Sequence, residues 1–213
     1  MTRHALIAGA SGIIGRHLAE HLIETGGWTV TGLSRHNNNL PKGVIPVAAD
    51  LTDAASVKAV LKGVDATQVF ITTWSRQATE AENCRVNGGM VRNLLAATAD
   101  KKIAHVALVT GGKHYMGPFE AYAKSKPVTP FREEQPRLPY PNFYYDQEDE
   151  VFAAAAKRGF GWSVHRPHTL IGYAVGNAMN MAATLGAYAA ICRETAKPFV
   201  FPGSPQQYEV RWT

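Results

Sequence analysis

Three glycines near the amino terminus have the spacing of a phosphate-binding turn. Gly9, Gly12 and Gly15 form the pattern G-x-x-G-x-x-G directly after the apolar segment 5–8, which predicts a buried strand. Apolar side chains at every fourth position from residue 14 to residue 22 then predict a helix. In such a turn the glycines allow a tight bend, a close approach of a pyrophosphate, and close packing of helix on strand. The sequence therefore predicts a dinucleotide site at the positive end of this helix.

The end of the second predicted strand indicates which dinucleotide is bound. An NAD site usually has a carboxylate there for the ribose 2′-hydroxyl, whereas this chain has Ser34 and Arg35, the latter twenty residues after Gly15. An arginine can hold a 2′-phosphate through a forked, charge-assisted pair, which favours NADPH/NADP+ over NAD. Asp50 and Leu51 follow the third predicted strand and suit a contact with the adenine edge, although Asp50 could simply cap a helix.

A tyrosine with a nearby lysine is the usual proton-donating pair of reductases on this scaffold. The spacing Tyr-x-x-x-Lys occurs once, at Tyr122 and Lys126, and it requires both residues on one helical face. Pro127 and Pro130 disfavour a helix at this point. We therefore interpret the pair as a coincidence within a loop.

Two other segments carry more specific motifs. Residues 109–119 leave the carboxyl end of the fifth predicted strand and contain T-G-G-K-H-Y-M-G-P-F, and residues 142–149 read N-F-Y-Y-D-Q-E-D. Together with the glycine-rich turn, these strings resemble the enone-reducing branch of the extended short-chain dehydrogenase/reductases, the progesterone 5β-reductase/iridoid synthase-like enzymes. Residues 69–74, 87–95 and 162–167 match the same family, so the resemblance extends from Gly9 to about Ser204.

This resemblance implies the catalytic residues. It implies that Lys113 is the catalytic lysine and Tyr145 the acid. Asp149 stands four residues after Tyr145, at the position where a lysine is usual. The alternative that the acid is Tyr144, one residue earlier, stays open. NADPH would deliver hydride to the β-carbon of an enone or enal, while the tyrosine hydrogen-bonds the carbonyl oxygen and Lys113 stabilises the developing enolate. The resemblance also places Thr73, Trp74 and Pro167 around the cofactor. The predicted cofactor-binding residues are Gly9, Ser11, Gly12, Ile13, Ile14, Gly15, Ser34, Arg35, Asp50, Leu51, Thr73, Trp74 and Pro167.

Short apolar runs alternate with helical patterns along the chain. This order predicts an α/β fold, a Rossmann-type doubly wound parallel sheet with helices on both faces and ligands at the carboxyl ends of its strands. Predicted strands cover 5–8, 28–33, 44–47, 68–71, 103–110, 162–165 and 199–201. Predicted helices cover 14–22, 53–61, 86–94, 145–157 and 177–193, and the proline-rich segment 111–142 is predicted to be an active-site loop. We divide the chain into an NADP-binding domain, 1–170, and the start of a substrate-binding region, 171–213.

Composition excludes several other functions. The chain has 213 residues and a net charge of +5, which is too weak and dispersed to predict binding to nucleic acid. The chain has two cysteines, Cys84 and Cys192, which suits a reducing compartment. Its sequence shows no signal peptide or membrane-spanning stretch, so we expect a cytoplasmic protein that does not bind a membrane. His114, His165 and His168 lack metal-ligand spacing, so no metal is predicted.

Members of the resembled family continue beyond the point that corresponds to Ser204. The chain is therefore expected to lack much of the region that covers the substrate, which would expose apolar surface and favour aggregation or a homodimer. A loop with the aromatic residues Phe119, Phe131, Tyr140 and Phe143 suggests a small apolar enone or enal as substrate, although aromatic loops also pack on themselves. Two alternatives remain: an NAD(P)-dependent sugar-nucleotide epimerase or dehydratase that uses Tyr122 and Lys126, and a catalytically weak NADP-binding module.

Overall fold

A computed structural model describes residues 3–36, 39–117, 129–176 and 180–201. Within these ranges the strands are β1 Arg3–Ala8, β2 Trp28–Ser34, β3 Ile45–Ala48, β4 Gln68–Ile71, β5 His105–Val109 and β6 Gly161–His165. The helices are α1 Ile13–Thr25, α2 Ala54–Leu61, α3 Glu80–Ala97, α4 Lys113–Met116, α5 Phe143–Arg158 and α6 Met181–Glu194.

The six strands form one parallel sheet in the order β3-β2-β1-β4-β5-β6. The register pairs Ala8 with Leu33 on one side and with Ile71 on the other, so the central strands end at a common edge. From β1 the strand order runs outward to β2 and β3 on one side and, after the chain crosses back, to β4, β5 and β6 on the other side. The position between β1 and β4 is therefore a topological switch point, where a crevice opens at the carboxyl ends of the strands. The predicted doubly wound parallel sheet is confirmed.

The hydrophobic core consists of two clusters of different size, one on each face of the sheet. On one face, α2, α3 and α5 cover a large cluster that includes Leu6, Leu94 and Val151. On the other face a smaller cluster, which includes Ile7 and Leu22, lies under α1. The side chains of β1 alternate between these clusters because successive residues of a strand point to opposite faces.

Helix starts follow local sequence signals. Asp53 caps α2, since its carboxylate accepts hydrogen bonds from the backbone N–H groups of Ala55 and Ser56. Thr79 begins α3 in a capping box, in which its hydroxyl accepts from the N–H of Glu82 and the carboxylate of Glu82 accepts from the N–H of Thr79. These caps fix the first turns of two helices at the edge of the sheet where the glycine-rich turn lies.

The predicted elements agree with the structure except at their ends and in one strand. Residues 199–201, predicted as a strand, have no strand structure, and the loop predicted from residue 111 contains the short helix α4. The fifth strand is shorter than predicted, the helix after the loop begins two residues earlier, and the last helix begins at Met181. β3, which contains Pro46, is an edge strand, where a proline is tolerated. No helix among the described residues is both long and apolar enough to cross a membrane.

The segment after β6 packs loosely on the rest of the molecule. Within α6, Cys192 is buried whereas Met181, Leu185 and Ile191 are exposed. Apolar side chains of the flanking segments, such as Ile171 and Phe199, are exposed as well. Among the described residues, this region therefore presents apolar surface.

Candidate active site

The glycine-rich turn connects β1 to α1 with the geometry of a phosphate-binding loop. Gly9 has φ of +89°, a conformation that favours glycine, and its N–H donates to the carbonyl oxygen of Leu33 over 2.9 Å. A Cβ added at Gly15 would lie 2.3 Å from the carbonyl oxygen of Gly9, so only glycine allows this close packing. Gly12 is the N-cap of α1, and no side chain caps the helix there.

The start of α1 is chemically suited to an anion. The first turn contains no acidic residue, and the N–H groups of Ile13, Ile14 and Gly15 belong to the end of the helix that carries partial positive charge. Ser11 lies in the turn that leads into them. The residues present therefore fit the pyrophosphate of a dinucleotide.

The end of β2 lies beside the turn after β3. Arg35 is exposed, and the Ser34 hydroxyl donates to the carbonyl oxygen of His36 over 2.8 Å. Asp50 accepts hydrogen bonds from the N–H and hydroxyl of Thr52, and these bonds, helped by the charge of Arg35, lower the pKa of Asp50 against the opposing effect of burial. The Leu51 side chain belongs to the core, so any contact of Leu51 with a nucleotide would come from its backbone.

The end of β4 approaches both the glycine-rich turn and α5. A Cβ at Gly9 would lie 2.9 Å from Cβ of Thr73, which places Thr73 against the turn. Trp74 is 41% exposed, and its ring stacks on that of Phe143 at 5.5 Å between centroids. Pro167, after β6, accepts a hydrogen bond from the N–H of Gly112 through its carbonyl oxygen over 3.1 Å. Residues predicted to surround the cofactor thus lie along one edge of the sheet.

A groove of about 600 Å³ runs along the sheet face beside α1. Ile14, Thr72 and Pro167 lie at its end near the glycine-rich turn, and Phe70 and Val164 line the part that covers the strands. The groove is mainly apolar in its lining side chains, as expected for a ligand site next to a phosphate-binding turn.

Lys113 is the first residue of α4, four residues beyond the end of β5. Its ammonium lies 2.6 Å from Oε2 of Glu80 and 5.1 Å from the centroid of the Phe143 ring. Burial disfavours the charge of Glu80, but hydrogen bonds from Lys113 and from the backbone N–H of Phe143 outweigh it and lower the pKa of Glu80. The sequence predicts Lys113 but not its carboxylate partner, Glu80. The capping motif at Thr79 could have indicated that Glu80 lies in the first turn of α3.

The two neighbouring tyrosines of α5 have different surroundings. The Tyr145 hydroxyl is buried, donates to the carbonyl oxygen of His114 over 2.8 Å and accepts from the N–H of Leu138 over 3.0 Å. The Tyr144 hydroxyl lies at the end of β5, where a Cβ added at Gly111 would approach it to 2.9 Å. Burial and the nearby Glu80 carboxylate raise the pKa of Tyr144 above its ordinary value. Both hydrogen-bonding functions of the Tyr145 hydroxyl are therefore used in contacts with other segments of the chain.

Ion pairs around the buried carboxylate of Glu148 support the other side of α5. Glu148 is 1% exposed and forms ion pairs with Arg137 at 2.9 Å and Arg166 at 3.2 Å. Asp149, which stands where a lysine is usual in related sites, pairs with Arg137 at 2.8 Å. Burying a carboxylate costs less free energy when it is paired in this way. These ion pairs connect α5 to the segment before it, through Arg137, and to the segment after β6, through Arg166. The sequence analysis did not predict a role for Arg137.

Three other sequence interpretations concern a tyrosine–lysine pair, a metal site and the two cysteines. Tyr122 and Lys126 lie outside the described residues. In the part of the chain that the structure describes, no group of three His, Cys, Asp or Glu side chains is arranged to hold a metal ion. Cys192 is buried, whereas Cys84 is only partly buried.

Comparison with known proteins decides the family. Residues 5–178 match the model of the NAD dependent epimerase/dehydratase family. The chain belongs to this family. Among solved structures, the chain is similar in fold to the UDP-glucose 4-epimerase of Thermus thermophilus in complex with NAD, with a TM-score of 0.71 and 22% sequence identity. The superposition covers 92% of this chain and 64% of that one. This similarity supports the Rossmann-type fold.

Curated relatives confirm the resemblance to the enone-reducing branch of the family. An (S)-8-oxocitronellyl enol synthase of Camptotheca acuminata is 42% identical over 212 residues, which are 94% of this chain and 54% of that protein. A 3-oxo-Delta(4,5)-steroid 5-beta-reductase of Arabidopsis thaliana is 39% identical over 216 residues, 96% of this chain and 56% of that protein. The chain thus spans about half the length of these curated relatives. Over this span the chain is similar to an enol synthase and a steroid 5-beta-reductase of the extended short-chain dehydrogenase/reductase type.

Proposed function

We propose that the protein is an NADPH-dependent oxidoreductase that reduces the activated C=C bond of a small apolar enone or enal by 1,4-addition of hydride. The observation that carries this proposal is the position of the Tyr144 hydroxyl over Gly111 at the end of β5, two residues before Lys113. The names of the relatives, a steroid 5-beta-reductase and an enol synthase, support the same class of chemistry.

The cofactor would bind along the edge already described. The N–H groups at the start of α1 would hold the pyrophosphate, and Arg35 would pair with the 2′-phosphate that distinguishes NADPH from NADH. Ser11 and Thr73 lie beside the turn, and the backbone of Leu51 and the Asp50 carboxylate would lie near the adenine. When bound, NADPH supplies the hydride that the protein itself lacks.

The acid in this proposal is Tyr144 rather than Tyr145. Its hydroxyl would hydrogen-bond the substrate carbonyl and donate its proton as the oxygen gains negative charge. A raised pKa keeps this hydroxyl protonated at neutral pH, the state that a proton donor requires. The Lys113 ammonium would stabilise the enolate electrostatically, and the apolar rings of Trp74 and Phe143 would exclude water from it.

The test is NADPH consumption with a small cyclic enone, measured beside the binding of NADPH and NADH by fluorescence. We expect turnover with NADPH, a preference for NADPH over NADH, and loss of turnover in Lys113→Met with NADPH binding retained. Lys42→Met, at an exposed lysine before β3, is the matched control and should leave the rate unchanged. Tight NADPH binding without turnover on a panel of enones and enals would contradict reductase activity and leave an NADP-binding module.

A further inference from the structure

Three helix starts meet at the carboxylate of Glu80. Oε2 pairs with the Lys113 ammonium of α4 at 2.6 Å, and Oε1 accepts a hydrogen bond from the backbone N–H of Phe143, the first residue of α5, over 2.9 Å. Asn83, one turn along α3, donates to Oε2 over 3.2 Å. Glu80 itself is the first residue of α3.

The position of Glu80 in its own helix suits a carboxylate that must stay charged. Glu80 lies in the first turn of α3, where the unpaired N–H groups and the helix dipole favour negative charge. Only 28% of its side chain is exposed, so its interactions with Lys113 and with the α5 backbone are less screened than those of a surface pair.

We propose that Glu80 is a positioning residue that holds the Lys113 ammonium and the first turn of α5 together, and thereby presents the Tyr144 hydroxyl at the end of β5 as a proton donor. The geometric argument is direct, because the residue hydrogen-bonded to Glu80 through its backbone, Phe143, immediately precedes Tyr144. The effect of Glu80 on the reaction rate rests on the proposed function, whereas its effect on the position and protonation of Tyr144 does not.

The charge of Glu80 has a second consequence at this site. An unpaired lysine beside a phenol favours the phenolate, which cannot donate a proton. The Glu80 carboxylate is paired with the Lys113 ammonium and also disfavours the phenolate directly, which accords with the raised pKa of Tyr144. Glu80 would therefore extend the range of alkaline pH over which Tyr144 stays protonated.

Other ionisable groups surround this cluster. Asp146 faces it from α5 and Cys84 from α3, and burial together with a hydrogen bond to Asp146 raises the pKa of Cys84 to about 12. His168, after β6, lies against Gly112 beside Lys113. These groups are the same in the variants described next, so a difference between variants reports on Glu80.

The first variant is Glu80→Gln, which keeps an acceptor for the Phe143 N–H and removes the charge. We expect kcat to fall about tenfold at neutral pH with little change in KM, and the alkaline decline of kcat to begin at lower pH. Glu80→Asp keeps the charge and should largely restore the pH profile of kcat. Glu82→Gln is the matched control, because Glu82 carries the same charge in the same turn, does not contact Lys113, and can be replaced by glutamine in a capping box.

A titration of Tyr144 separates this inference from the proposed function. With ¹³Cζ-labelled tyrosine, and the Tyr144 signal assigned by its loss in Tyr144→Phe, NMR should show Tyr144 losing its proton at lower pH in Glu80→Gln than in the wild type or Glu82→Gln. An unchanged titration of Tyr144 would overturn the inference, whatever the rates. Absence of turnover in the wild type would instead overturn the proposed function, and the titration would still decide the role of Glu80.

Discussion

The Tyr145 hydroxyl joins α5 to α4 by donating a hydrogen bond to the His114 carbonyl oxygen over 2.8 Å. The same hydroxyl oxygen accepts from the N–H of Leu138, so this tyrosine links three segments around the site. Its neighbour, Tyr144, leaves its hydroxyl at the end of β5. Two adjacent residues of one helix therefore have separate roles, one in packing and one, as we propose, in proton donation.

Substitution of each tyrosine by phenylalanine should separate these roles. Tyr145→Phe leaves a buried carbonyl and a backbone N–H without their partner, so we expect the free energy of unfolding to fall by about 1–3 kcal/mol with kcat changed little. Tyr144→Phe should lower kcat by about 10²–10³-fold with little change in stability. Urea unfolding and NADPH consumption measure the two effects. The reverse pattern, with activity lost in Tyr145→Phe alone, would return the acid to Tyr145.

Removal of the Arg35 side chain should change the cofactor preference. A charge-assisted hydrogen bond contributes roughly 1.5–3 kcal/mol, so Arg35→Ala should weaken NADPH binding by about 10–100-fold and leave NADH binding nearly unchanged. Fluorescence titration with both nucleotides gives the ratio directly. Lys42→Ala, at another exposed cation, serves as the control. Equal weakening for both nucleotides would show that Arg35 does not contact the 2′-phosphate.

Alanine at Gly15 and at Gly89 should have opposite effects. At Gly15 the added Cβ would lie 2.3 Å from the carbonyl oxygen of Gly9 and 2.7 Å from the Thr72 hydroxyl oxygen, so we expect loss of NADPH binding and destabilisation of about 1–3 kcal/mol. At Gly89, inside α3, no atom lies within 4 Å of an added Cβ, and alanine should stabilise the protein by roughly 0.5–1 kcal/mol. Thermal unfolding with and without NADPH tests both. A stable, nucleotide-binding Gly15→Ala would contradict the packing described for this turn.

Stability should fall as the solution becomes mildly acidic, and His114 should contribute to this fall. Burial, with the charge of Arg166, lowers the pKa of His114 below 6.5, although Glu148 opposes this effect. The unfolded chain therefore takes up a proton near pH 6.5 that the folded chain binds only at lower pH. The contribution of His114 is fully present above pH 6.5 and declines as the pH falls below it.

The measurement is urea unfolding at a series of pH values between neutral and mildly acidic. His114→Gln should show a shallower loss of stability than the wild type, and His21→Gln, at an exposed histidine of α1, should follow the wild type. His4, whose pKa burial also lowers, should account for part of the slope that remains. Identical slopes for His114→Gln and the wild type would contradict the role given to His114.

Local sequence signals predicted most of the sheet. The second strand and the fourth were predicted within one residue because their apolar runs are bounded by clear turns, and Asp53, where the second predicted helix starts, caps α2. Residues 199–201 are apolar and resemble a strand, but the structure gives them no strand to pair with. An apolar run alone does not supply a pairing partner, and this explains the wrong prediction.

The candidate site was predictable only where motifs mark it. The glycine-rich turn and Lys113 stand in recognisable strings, whereas the pairing of Lys113 with Glu80 joins residues 33 positions apart and depends on how α3 and α4 pack. The choice between Tyr144 and Tyr145 depends on the rotation of α5, which the sequence leaves uncertain by one residue. Contacts between distant segments thus account for what the sequence did not predict.

The strand order also bears on how the chain acquires its structure. β1 can pair with β2, and β2 with β3, once residues up to 48 are available, but the other edge of β1 pairs with β4, whose Gln68 is 63 positions beyond its partner Ala5. Closing so long a loop is slow because its entropic cost comes before the pairing that repays it. During synthesis the amino-terminal third therefore carries an uncovered strand edge until residue 71 has emerged. The addition of β4 is the step that we expect to limit the folding rate.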